Sequence, residues 1–193
     1  MEHQWERPTN GDHKIIVNQI GRDPRGLIGI ANRCPYGYPQ VIVNRPIITE
    51  IEDVQVFPTT FWLTCPYLRK VVGCLESEGL IANFQERISS DEQYAKTIED
   101  THTSYAKLRQ ELVPKEVQDL LQKNYPERYK VIVKTGVGGI RSRDGVKCLH
   151  THLADYLARK ENSIGEEVLA LLSPNYACSS GNCELEQQGV ESC

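Results

Sequence analysis

Three cysteines sit where the chain changes element rather than inside an apolar face: Cys34, Cys65 and Cys148. Cys34 opens a turn rich in Pro and Gly. Cys65 precedes Pro66 at the start of a helical pattern. Cys148 lies in KCLHTH, next to His150 and His152. A helix N-terminus presents unpaired N–H groups, and that setting favours the thiolate, which attacks electrophiles and binds zinc or iron. On a helix, His152 falls one turn beyond Cys148, whereas His150 falls on the other flank unless the helix starts late. Cys34, Cys65 and Cys148 with His152 make a Cys3His set suited to zinc. The three cysteines alone suit an iron–sulfur cluster with one iron open to substrate. In either case His150 or His152 is the fourth ligand or a proton shuttle. No CxxC pair occurs, and free cysteine is a common core residue, so plain packing is the competing reading.

Each cysteine has basic residues close in sequence. Arg22, Arg25 and Arg33 lead into the first, Arg69 and Lys70 follow the second, and Arg141, Arg143 and Lys147 flank the third. Guanidinium forks match carboxylate and phosphate. A site where these elements converge takes an anionic ligand, such as a nucleotide, a phosphate ester or an RNA segment, with Arg22, Arg25 and Arg69 holding it. Gly136–Gly139 lacks the Lys-Ser/Thr of a phosphate-binding Walker loop. There is no GxSxG elbow and no Cys-x5-Arg loop.

The elements that must position these groups follow from pattern. Phe57–Thr64 reads as a strand feeding a helix over Pro66–Glu78, with Pro66 in the first turn and Gly79 as the stop. Leu68, Val71, Val72 and Leu75 form its buried face. Lys14–Ile20 and Tyr129–Lys134 read as strands because they are rich in β-branched residues. Leu27–Asn32 and Gln40–Asn44 form a hairpin around the Cys34 loop. A long helix capped by Ser89 or Ser90 runs to about Val113, a short one covers Lys115–Lys123, and two more cover Asp144–Arg159 and Ile164–Leu172. Residues 1–13 and 173–193 read as flexible tails, the second carrying Cys178, Cys183 and Cys193.

The totals set the class. The chain of 193 residues has a net charge of −4, 39% hydrophobic residues and 25% charged residues. These values fit one soluble globular domain, here 14–172, and argue against a protein that coats nucleic acid. No apolar run spans a bilayer and no signal-peptide core opens the chain, so a cytoplasmic location is expected, with cysteines as thiols or ligands. The expected fold is a single α+β domain: a small, mainly antiparallel sheet packed against several helices.

The blocks GRDPRG, RCPYGYPQVI, FPTTFWLTCPYLRKVVGCLESEGLI and GVGGI…GVKCLHTHLADYLA, taken in order, resemble bacterial domain-of-unknown-function family 501 over about residues 21–172. The resemblance implies no activity. Its recurrent blocks contain Arg22, Arg25, Cys34, Cys65, Lys147, Cys148 and His150. The reading that follows is a metal- or iron–sulfur-dependent enzyme acting on an anionic substrate. Two alternatives stay open. One is a nucleotide- or RNA-binding regulatory module with a structural zinc. The other is a metal-free thiol enzyme with Cys65 as nucleophile.

Overall fold

The computed structural model describes residues 5–49, 54–174 and 176–183. Helix α1 (Asn10–Ile20) comes first, where the sequence suggested a tail followed by a strand. Local chemistry overrides the β-branched composition. Thr9 and Asp12 form a reciprocal capping box, with the Asp12 N–H donating to Thr9 Oγ1 at 3.1 Å and the Thr9 N–H to Asp12 Oδ2 at 2.9 Å. Gly21, at φ 72°, ends the helix in the left-handed conformation. Only Asp12, Ile16 and Gln19 are buried, a helical spacing. The expected tail boundary at residue 14 therefore falls inside this helix. Upstream of it, Glu6 bridges Ile30, and the Trp5 ring meets Phe61 edge-on.

Strands β1 (Leu27–Arg33) and β2 (Pro39–Asn44) form the expected hairpin, closed by Cys34–Tyr38. A two-stranded ribbon follows, β3 (Ile47–Thr49) with β4 (Val54–Val56). Strand β5 (Phe61–Leu63) is shorter than expected and pairs antiparallel with β2, giving the order β1-β2-β5. All six residues of the central β2 are buried. The α+β class with a small antiparallel sheet is thus the observed architecture.

Helix α2 (Pro66–Ser77) starts directly from β5, with Cys65 at its N-cap and Pro66 in its first turn. Helices α3 (Leu80–Ser90) and α4 (Glu92–Glu111) divide at Asp91, whose carboxylate caps α4 by accepting from the Tyr94 N–H at 3.0 Å. Asp91, not Ser89 or Ser90, is the cap. Helices α5 (Lys115–Asn124) and α6 (Pro126–Lys134) follow.

The segment Tyr129–Lys134, expected as a strand, lies in α6. Pro126 opens that helix, and the buried Arg109 of α4 closes it. Arg109 Nε donates to the Ile132 carbonyl at 2.8 Å, and Nη2 donates to the carbonyls of Val131 and Thr135. A guanidinium at a helix C-terminus satisfies carbonyls that have no intrahelical donor.

Helix α7 (Leu149–Arg159) starts five residues later than the sequence pattern implied, and α8 (Ser163–Leu172) packs against it. The preceding segment is kept out of the helix by side chains of α3 and α4. The Val146 N–H donates to Gln85 Oε1 at 3.2 Å, and His102 Nε2 donates to the Gly145 carbonyl at 3.0 Å. Leu149, Leu153 and Ala154 of α7 then enter the main core with Val41, Val43, Phe61 and Leu68. This places the N-terminus of α7 beside α2.

Candidate metal centre at the start of helix α7

The late start of α7 decides what surrounds Cys148. As N-cap residue, Cys148 is extended (φ −160°, ψ 125°). His150 turns back onto it, with Nδ1 3.5 Å from the Cys148 sulfur. His150 Nδ1 is also 3.1 Å from Oε1 of Glu76, which projects from the last turn of α2. That same oxygen accepts the Leu149 N–H at 2.6 Å, satisfying a free donor of the helix end. The other ring nitrogen, His150 Nε2, lies 2.9 Å from the Arg69 carbonyl. A carbonyl only accepts, so Nε2 carries hydrogen and Nδ1 faces the sulfur and the carboxylate.

Three electron-rich atoms therefore converge: Sγ of Cys148, Nδ1 of His150 and Oε1 of Glu76, all within 4.8 Å of one another. Their close approach is favoured by a proton or a cation among them. In the metal-free protein this is the imidazole proton. Burial opposes that proton, but the hydrogen bond to Cys148, the Arg69 carbonyl and the charges of Cys148 and Glu76 outweigh it, holding His150 at about 9. The His150 and Glu76 side chains are 26% and 24% exposed, so the cluster opens to solvent.

Two of the three separations match those of ligands on one divalent ion. Tetrahedral zinc with its usual bond lengths puts sulfur and nitrogen ligands about 3.5 Å apart and nitrogen and oxygen ligands about 3.3 Å apart. The observed separations are 3.5 and 3.1 Å. The Nε2–H bond to a backbone carbonyl is the usual outer support of a metal-bound histidine. One thiolate with one imidazole and one carboxylate suits zinc, whereas an iron–sulfur cluster needs several thiolates.

The other expected site residues lie elsewhere. Cys34, Cys65 and Cys148 do not together form such a group among the described residues. Cys34 sits in the loop closing the β1–β2 hairpin. Cys65 is buried, and burial pushes its thiol up to about 11, only partly offset by the backbone N–H groups of Leu68 and Tyr67. It is therefore a neutral thiol at physiological pH despite its place at the head of α2, because loss of water outweighs the helix end.

His152 faces the core. Its Nδ1 donates to Asn162 Oδ1 at 3.1 Å, its ring meets His102 edge-on, and burial pulls it down to about 3. Arg22 stacks over Trp62 at 5.1 Å, Arg69 donates to the Gln19 carbonyl at 2.9 Å, and Arg25 lines a cleft near the start of β1. The three arginines thus do not converge on Cys148. Glu76 is the member that pattern reasoning missed. It lies 72 residues upstream of Cys148 on a helix face that reads as solvated, and only the docking of α7 against α2 joins them.

A family model described as "Protein of unknown function (DUF501)" matches residues 30–170, a span that holds Glu76, Cys148 and His150. No curated protein and no solved structure matches the chain. No described helix is long and apolar enough to cross a membrane.

Proposed function

The chain belongs to the DUF501 family, and we propose that it is a metal-dependent enzyme whose centre is a zinc ion held by Glu76, Cys148 and His150. The convergence of three ligand atoms within 4.8 Å carries this reading. Three protein ligands leave a fourth position for water or substrate, the arrangement of catalytic rather than structural zinc. Bound there, zinc supplies Lewis-acid chemistry and lowers the pKa of a coordinated water. The chain's own residues orient the site. Arg69 fixes the His150 tautomer through its carbonyl, Glu76 ties α7 to α2, and the partial exposure of the cluster admits a substrate. An anionic substrate belongs to the same reading, because the metal offsets its charge. So does the cytoplasm, whose reducing conditions keep Cys148 available as a ligand.

The test is metal content. Protein purified without chelators is expected to hold about one zinc per chain, and Cys148→Ser, His150→Ala and Glu76→Gln are each expected to lower zinc affinity by more than about 100-fold. A chain free of zinc, or three variants that keep it, would contradict the reading.

One observation favours a second reading. An imidazolium 3.5 Å from Cys148 is the setting of a nucleophilic thiol. In that case stoichiometric alkylation of Cys148 at neutral pH is unaffected by added zinc. The metal reading requires zinc to block it. A structural-zinc module needs four protein donors, and the group among the described residues has three.

A further inference from the structure

A second cluster of chemistry lies at the open end of the β1–β2 hairpin, away from the Cys34 loop that closes it. A cleft of about 690 Å³ is lined there by Arg25, Arg45 and His13, with Leu27, Ile47 and Ile48 as apolar walls. This volume is in the range of small-molecule sites. The two arginines are held together by the backbone. The Arg45 N–H donates to the Gly26 carbonyl at 2.8 Å, one peptide from Arg25. Gly26 makes this turn at φ 79°, a conformation that favours glycine, and a Cβ added there would come within 3.4 Å of Ile48 Cδ1.

Both arginines are exposed. Among the described residues neither guanidinium donates a hydrogen bond or forms an ion pair. Arg33, by contrast, is fully engaged by Glu6 and Asp12. Among the described residues the one carboxylate lining the cleft, Asp23, is paired with His13 at 3.0 Å. Both arginines line this one cleft, and an anion bound within it would offset the repulsion between their charges. The first turn of α1 also borders the cleft through Thr9 and Asn10.

We propose that this cleft binds a small organic oxyanion, its phosphate or carboxylate head between Arg25 and Arg45 and its apolar body against Leu27, Ile47 and Ile48. The site shares no residue with the metal centre, and binding there needs no metal. Arginine forks recognise both head groups, while the apolar walls distinguish an organic anion from a bare ion.

The test is an NMR titration of the full chain in EDTA, which keeps it separate from the zinc reading. The probes are phenyl phosphate, benzoate, inorganic phosphate and neutral benzyl alcohol, and the readout is the amide signals of Gly26, Leu27, Arg45 and Ile48. The expected result is saturable shifts with phenyl phosphate or benzoate, the tighter of the two identifying the head group. Weaker binding of inorganic phosphate and none of benzyl alcohol are also expected. The double variant Arg25→Gln with Arg45→Gln is expected to weaken the organic anion at least about tenfold, and the Lys pair to retain part of the affinity. The proposal is overturned if neither organic anion saturates these amides below about 10 mM. It is also overturned if the glutamine pair binds as well as the native chain, or if inorganic phosphate matches the organic anions.

Discussion

At the scale of single residues, the histidines of this protein have opposite tasks although two of them are neighbours in sequence. His150 is held in its charged form by Cys148, Glu76 and the Arg69 carbonyl, against the effect of burial. His152 and His102 are held neutral by burial. Their tautomers are fixed by partners: His102 accepts the Val137 N–H at Nδ1 and donates from Nε2 to the Gly145 carbonyl. The pH dependence has two limbs of opposite sign. Below about pH 6.5 the unfolded chain protonates His102 and His152 while the fold resists. Stability therefore falls as acid is added, by up to about 1.4 kcal/mol per pH unit for each buried histidine. For His150 the folded form holds the proton more tightly. Its contribution is complete below about 6.5 and is lost as pH rises through about 9. Urea melts of chelator-treated protein across pH 4–10 check both limbs. His150→Gln is expected to flatten the alkaline one and leave the acid one in place.

Helices carry the next set of consequences. Gly165 opens α8 with its N–H on Asn162 Oδ1 at 2.9 Å, and its missing side chain lets α8 approach α7. A Cβ there would lie 2.2 Å from the His152 carbonyl oxygen, a backbone atom that cannot swing aside. Gly165→Ala is therefore expected to destabilise by more than about 1 kcal/mol, the reverse of the usual gain for alanine over glycine in a helix. Its melting temperature checks this. Arg109 is the second case. It is buried in full and bonds the carbonyls of Pro58, Val131, Ile132, Thr135 and Gly136. Arg109→Met takes this donor from the carbonyls of Pro58, Ile132 and Thr135, while Val131 and Gly136 keep the Thr135 hydroxyl and the Gly139 N–H, and it is expected to cost about 3 kcal/mol or more in a urea titration.

These two contacts also show which elements were legible in the sequence. The β1–β2 hairpin and the β5–α2 junction follow from alternation, Cys65 and Pro66. The stretches around Ile15–Val17 and Val131–Val133 resemble strands by composition and became helices. In the first, a capping box and Gly21 set the outcome within ten residues. In the second, the deciding group is a guanidinium more than 20 residues upstream. The start of α7 was misplaced for the same reason, since the segment before it is pinned by Gln85 and His102.

Over the whole molecule, the sheet separates two chemistries. One end of the β1–β2 hairpin opens on the Arg25/Arg45 cleft. Its other end leads through Gln40 to Cys65 and α2, the helix that supplies Glu76 and the Arg69 carbonyl. Local spacing made Cys148 and His150 visible as candidates because they lie two residues apart. It could not supply Glu76, which arrives through tertiary packing, and the group that packing forms around Cys148 among the described residues holds Glu76 and His150 rather than Cys34 and Cys65. The most direct test is X-ray absorption at the zinc edge of the purified protein. The account predicts one sulfur ligand at about 2.3 Å, with the remaining neighbours nitrogen and oxygen at about 2.0–2.2 Å. A shell of three or four sulfurs, or no zinc to measure, would contradict it.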